Sequence, residues 1–148
     1  NKSQGIHGDY QKNLTLMSVD AGGFKPLLKL ANQLVWQGET ISASKSRKYE
    51  NNESKLTQVL PDYDYKNKDI MIIDDLCVYG GTFINLANML REKECGKLYL
   101  AVSHMTVQKP NPELFSIFDT IYTTNSKYNE YYTHTDSIPA NLKIINLF

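Results

Sequence analysis

Residues 70 to 82 read IMIIDDLCVYGGT, and this stretch decides the fold. Ile70, Met71, Ile72 and Ile73 are apolar at every position, which predicts a central parallel strand covered by helices on both faces. A half-exposed strand would alternate. The run ends abruptly at Asp74 and Asp75, and beyond the pair Gly80-Gly81 the residues Phe83, Leu86, Ala87 and Leu90 return at helical spacing, with Gly96 near the helix end. Two glycines let an anion approach the backbone, the N–H groups opening the helix point at it, and Thr82 adds a hydroxyl; this suits a phosphate monoester. Adjacent carboxylates repel unless they hold hydroxyl or cationic groups, a need that ribose hydroxyls or a magnesium ion would meet. A plain strand end followed by a turn fits the same residues, so the chemistry alone leaves both readings open.

Working outward, the N-terminal side repeats the pattern. Leu14, Leu16, Met17 and Val19 form a strand-like run that stops at the turn Asp20-Ala21-Gly22-Gly23. Phe24, Leu27, Leu28, Ala31, Leu34 and Val35 then fall on one helical stripe, with Pro26 in the first turn and Gly38 closing the helix. A short strand near Thr40 to Ala43 follows, and the polar stretch from Ser44 to Lys68 predicts a long loop. On the C-terminal side, Leu98 to Val102 predicts a buried strand ending at Ser103-His104. Leu114, Ile117 and Phe118 suggest a short helix, Thr120 to Tyr122 a strand, and Leu142 to Phe148 a last one. Strands alternating with helices call for an α/β fold with a mostly parallel sheet flanked by helices. In such sheets ligands bind outside the carboxyl ends of the strands, where the loops at Asp20, Asp74 and Ser103 converge.

Composition sets the outer limits. The chain has 148 residues, 16 basic against 16 acidic side chains and 41% hydrophobic residues, the size and balance of one globular domain. A net charge of zero argues against a general nucleic-acid binder, and no apolar run is long enough for a membrane span or a signal peptide. The chain reads as cytoplasmic, and its opening at Asn1 without Met reads as part of a longer protein. Cys77 and Cys95 lie outside any CxxC spacing and fit reduced thiols with packing roles. His104 reads as a structural histidine at a strand end and His134 as a loop residue. Lys45, Arg47 and Lys48 would on composition alone be a solvated face. The cluster Tyr122, Tyr128, Tyr131 and Tyr132 reads as surface or edge.

The quoted stretch resembles the phosphoribosyl-pyrophosphate (PRPP) binding signature of the type I phosphoribosyltransferase fold: four apolar residues, two acids, a short variable stretch, then Gly-Gly-Thr. Ser18 to Leu34, SVDAGGFKPLLKLANQL, resembles the SPDAGG segment and following helix of ribose-phosphate pyrophosphokinases, the PRPP synthetases. Ser44-Lys45-Ser46-Arg47 is similar to the Lys-x-Arg that begins their catalytic loop, Val102-Ser103-His104 to their strand-ending Thr-His, and Ile121 to Ser126 to their VVTNT segment. The resemblance covers the chain after Leu14 but only the C-terminal half of a synthetase.

That resemblance implies roles. Asp74 and Asp75 would hold the ribose 2- and 3-hydroxyls, while Gly80, Gly81 and Thr82 would cradle the 5-phosphate. Asp20, with Ala21, Gly22 and Gly23, would border the pyrophosphate and Mg2+, Asp20 being the metal ligand. Lys45 and Arg47 would be catalytic, closing over the diphosphoryl group that ATP donates to ribose 5-phosphate in the complete enzyme, which the resemblance implies to be a homo-oligomer. Two departures stand in the phosphate loop: Val78 where synthetases usually carry Asp, and Tyr79 where they carry Thr. They motivate a catalytically silent regulatory subunit as one rival, a phosphoribosyltransferase that consumes PRPP being the other.

Overall fold

The structure, a computed structural model, describes residues 13–106, 111–126 and 138–147. His7, Tyr128, Tyr131, Tyr132, His134 and Phe148 lie outside the described residues. In chain order the elements are β1 (Leu14–Ser18), α1 (Ala21–Gln33), β2 (Thr40–Ser42), β3 (Ser44–Glu50), β4 (Glu53–Val59) and β5 (Asp69–Cys77). There follow α2 (Gly81–Glu92), β6 (Leu98–Met105), α3 (Pro112–Ile117), β7 (Thr120–Thr124) and β8 (Leu142–Ile145). Six strands form one sheet in the order β2-β1-β5-β6-β7-β8, every neighbouring pair parallel, while β3 and β4 make a separate antiparallel hairpin.

The continuous apolar run on β5 has the expected cause. Ile70 and Ile72 are fully buried in the larger core with Phe83, Leu86, Leu90, Leu98, Leu100 and Phe118, whereas Met71 and Ile73 turn to the opposite face and pack with Leu16, Leu27 and Ala31. Each large side chain so buried contributes roughly 1.5–3 kcal/mol over leaving it exposed. The stripe on α2 reads correctly, with Phe83, Leu86, Ala87 and Leu90 all buried.

Four details differ from the sequence reading. Strand β5 does not stop at Asp74 but runs to Cys77, because β6 goes on pairing along one edge (Leu76 with His104, Cys77 with Met105) after β1 has ended opposite Ile73. The segment after Ser44 is not a loop throughout: Asn51 and Asn52, with φ of 52° and 63°, turn the chain between the paired Glu50 and Glu53 and close a two-residue hairpin. Helix α1 starts at Ala21, so Pro26 falls in the second turn, where it has no N–H to give the carbonyl of Gly22. It also ends at Gln33, well before Gly38, leaving Leu28, Leu34 and Val35 exposed and only Leu27 and Ala31 buried.

The end of α1 is a Schellman arrangement. The Trp36 N–H donates to the Ala31 carbonyl at 2.9 Å and the Val35 N–H to that of Asn32 at 3.1 Å, while Trp36 packs against the Leu27–Ala31 cluster. Val35 occupies the left-handed position at φ 51°, where glycine is usual and a β-branched residue is strained. Relief of roughly 1–2 kcal/mol of left-handed strain outweighs the extra entropy that glycine loses on folding. Val35→Gly is therefore expected to stabilise the fold by about 1 kcal/mol, read as a higher urea midpoint at unchanged slope; a lower midpoint would contradict it.

Candidate functional site

The connection from β1 through α1 leads to β2 on one side, and the connection from β5 through α2 leads to β6 on the other. Crossovers that diverge in this way leave a crevice beyond the carboxyl ends of the two strands. A cleft of about 510 Å³ lies there, lined by Asp20, Gly22 and Gly23 after β1, Asp74 and Asp75 on β5, and Ser103 on β6. Val19, Ile73 and apolar residues of α1, among them Pro26 and Leu27, form its remaining wall.

Each acid has a distinct local task. The Asp20 carboxylate caps α1, its Oδ1 accepting from the Gly23 N–H at 3.0 Å, and its Oδ2 lies 3.4 Å from the Lys45 ammonium. Both oxygens are thus engaged, and the ion pair ties the hairpin to the cleft. Asp74 is half-buried and Asp75 exposed; the Asp75 N–H donates to Asp74 Oδ1 at 2.8 Å. Burial pushes the Asp74 carboxyl above its ordinary value, and the negative charges of Asp75 and Asp20 push the same way, outweighing the stabilising N–H. Cys77, fully buried, is raised to about 11 by burial first and by Asp74 second, so it is a packed, unreactive thiol. Burial also raises the half-buried Cys95.

The glycine loop divides. Gly80 is buried at φ 81° and forms the N-cap of α2, with no side chain capping the helix. Gly81 and Thr82 line a second cavity of about 630 Å³, whose other wall is the hairpin with Lys45, Lys48, Lys55 and Gln58. A Cβ on Gly81 would meet no atom within 4 Å, so open space lies beside that backbone. Asn85, one turn into α2, donates to Gln58 Oε1 at 2.7 Å and fastens the hairpin over the helix end. Gln58 and Asn85 escaped the sequence reading, since neither belongs to a motif and only the docking of the hairpin brings them together.

The cleft therefore brings together Asp20, Gly22, Gly23, Asp74 and Asp75; Lys45 touches it through Asp20 and also lines the second cavity with Gly81 and Thr82. Ala21, Gly80 and Arg47 line neither space. Arg47, paired with Leu56, lies two residues beyond Lys45 on β3 and so shares its face. Val78 and Tyr79 are exposed, Tyr79 by 85%, so the tyrosine does not fill the loop it stands in. The His104 ring is hydrogen-bonded through Nδ1 to the Ser126 hydroxyl, as a structural histidine at a strand end would be.

Among the described residues no group of three or more acidic, His or Cys side chains converges as a metal cage. Magnesium does not need one: it is usually held by one or two carboxylates together with substrate phosphates and water. The crowded negative charge at Asp74, Asp75 and Asp20 fits such a substrate-bridged ion. Asp20 Oδ2, the oxygen that faces Lys45 rather than the Gly23 N–H, is the one Asp20 would offer it.

A parallel sheet with a carboxylate-lined crevice at its switch point, beside a glycine loop opening a helix, defines an α/β protein of the type I phosphoribosyltransferase fold. The chain belongs to the phosphoribosyl transferase domain family, whose model matches residues 2–132. Among curated proteins it is similar to the ribose-phosphate pyrophosphokinase of Chlorobaculum tepidum, 28% identical over 125 residues, covering 83% of this chain and 37% of that protein. It is also similar to that of Aquifex aeolicus, 30% identical over 102 residues, covering 69% and 31%. The chain thus spans about a third of the length of these relatives. The phosphoribosylpyrophosphate synthetase of Mycobacterium smegmatis superposes with a TM-score of 0.66 at 22% identity, over 93% of this chain and 42% of that one. A hypoxanthine phosphoribosyltransferase from Staphylococcus aureus gives 0.53 at 16% identity, over 93% and 65%.

Proposed function

We propose that the chain is the C-terminal phosphoribosyl-binding domain of a PRPP synthetase and that its cleft takes ribose 5-phosphate. The observation carrying this reading is the pair Asp74–Asp75 lining the switch-point cleft in a chain whose curated relatives are ribose-phosphate pyrophosphokinases. Vicinal ribose hydroxyls donating to Asp74 and Asp75 would offset the burial, and after it the neighbouring negative charge, that raise Asp74. The 5-phosphate would lie at the uncapped start of α2, against the Gly80–Thr82 backbone and the Thr82 hydroxyl. With Tyr79 turned to solvent, a cradle built from backbone survives the departures at Val78 and Tyr79.

In the complete enzyme the ribose 1-hydroxyl would attack the β-phosphorus of ATP in line and displace AMP. Lys45 and Arg47, on one face of β3, would place two cations against the charge that develops on the transferred diphosphoryl group. Magnesium, when bound beside Asp20, supplies further neutralisation of that charge. Lys45 would exchange Asp20 for the phosphate chain as substrate enters.

Isothermal titration tests the binding step. Ribose 5-phosphate with Mg2+ is expected to give a binding isotherm that ribose without its phosphate does not. Negligible heats for both ribose 5-phosphate and PRPP would remove the assignment. AMP formation from ATP and ribose 5-phosphate by the full-length protein marks a synthetase, whereas base-dependent pyrophosphate release from PRPP marks a transferase.

A further inference from the structure

One side-chain donor stands among the acceptors of the switch-point cleft. With its three carboxylates ionised, Ser103 is the only described residue lining it whose side chain can donate a hydrogen bond. It lies opposite Asp75 on the β5–β6 ladder, between the pairs Asp74–Val102 and Leu76–His104. Leu98, Leu100 and Val102 of β6 enter the larger core, so strand alternation turns Ser103 to the other face, where Ile73 and Leu27 line the cleft. The residue is exposed. Neighbouring strands are about 4.8 Å apart, so one ligand oxygen can reach the Asp75 carboxylate and the Ser103 hydroxyl together.

Side chains hold the backbone that carries Ser103. The registered pairing of β6 with β7 ends at Ala101 and Tyr122, two residues short of it. Beyond that point the Thr124 hydroxyl donates to the Ser103 carbonyl at 2.6 Å, and the Ser126 hydroxyl donates to it at 3.1 Å. Ser126 Oγ is also bonded to His104 Nδ1, and a proton on that nitrogen leaves the Ser126 proton for the Ser103 carbonyl. Two hydroxyls on one carbonyl fix the plane of the peptide, and with it the direction of the Ser103 side chain.

We propose that Ser103 is a specificity-determining residue of the cleft and that Thr124 and Ser126 are its positioning residues. Ser103 Oγ donates to the same sugar oxygen whose proton Asp75 accepts. A hydroxyl can serve both partners at once, since it has one proton to give and lone pairs to receive. A carbonyl oxygen lacks the proton, an ammonium group lacks the lone pair, and a deoxy carbon lacks both. The Asp75–Ser103 pair thus selects a sugar phosphate that keeps this hydroxyl against its deoxy counterpart. This rests on the reading that the cleft takes ribose 5-phosphate.

The experiment titrates the full chain, with Mg2+, against ribose 5-phosphate and its 2-deoxy and 3-deoxy analogues, comparing wild type, Ser103→Ala, Thr124→Val and Thr124→Ser. Ser103→Ala is expected to weaken ribose 5-phosphate about fivefold. It should leave unchanged the binding of the one deoxy sugar that lacks the shared oxygen, a pattern that a general structural change would not produce. Ser103 is exposed, so truncating it opens no core cavity. Thr124→Val is expected to give a smaller loss with the same pattern, about threefold, which Thr124→Ser restores. Equal losses for all three sugars, or equal losses in Thr124→Val and Thr124→Ser, overturn the proposal. Binding of ribose 5-phosphate that Ser103→Ala does not weaken removes this inference and leaves the ribose reading standing, whereas no binding by wild type removes both.

Discussion

Gly80→Ala is expected to lower the unfolding free energy by about 3 kcal/mol, and the loss should depend on a residue 34 positions away. At φ 81° the backbone of Gly80 is left-handed, which costs an L residue roughly 1–2 kcal/mol. A Cβ there would also lie 3.2 Å and 3.3 Å from the two methyl carbons of Leu114, which is fully buried and cannot retreat without disturbing the contact between α2 and α3. Overpacking of this kind typically costs a further 1–3 kcal/mol. Leu114→Ala alone removes a buried leucine and should cost about 2–5 kcal/mol. The two substitutions together are expected to cost less than their sum by about 1 kcal/mol, because the clash disappears and only the backbone strain remains. Denaturant melts of the four proteins measure this coupling. Strict additivity would mean that Leu114 does not set the loop.

The same tight packing explains which parts of the fold could be read from sequence. Ile70 to Ile73 and the α2 stripe are legible because burial dictates every residue in them, so periodicity reports geometry directly. The hairpin at Ser44 to Val59 is illegible by that signal: β3 is exposed along its length, and SKSRKYE carries no alternating apolar pattern. Its one cue was Asn51-Asn52, a pair that tolerates positive φ at both turn positions. The end of α1 was misplaced because a glycine at position 38 is a stronger signal than a valine at 35, although Val35 occupies the left-handed site. Loops at strand ends converge by topology, so Asp20, Asp74 and Asp75 could be gathered from chain order alone. The docking of Gln58 on Asn85 and of Lys45 on Asp20 depends on where a hairpin folds back, which no local pattern encodes.

Replacing Asp74 and Asp75 by Asn should separate binding from stability, the clearest signature of a site. A carboxylate accepting from a ribose hydroxyl makes a charge-assisted bond worth about 1.5–3 kcal/mol, and Asn retains only a neutral acceptor. Losing that advantage at two positions is expected to weaken ribose 5-phosphate about a hundredfold. The folded protein should respond in the opposite direction. Since the Asp74 pKa is raised above 3.8 in the fold, its contribution to stability is most favourable below pH 3.8 and is lost as pH rises through the folded value. At neutral pH the native state therefore holds a carboxylate it disfavours, and Asp74→Asn removes that charge while its side-chain oxygen can still accept the Asp75 N–H. Without ligand or Mg2+ the single variant should melt higher than wild type at pH 7, and the difference should vanish below pH 3.8, where Asp74 is protonated in both states. Scanning calorimetry at the two pH values, beside the titration, decides it. If the variants lost affinity and melted lower together, the acids would be structural, and the ribose hydroxyls would need other partners.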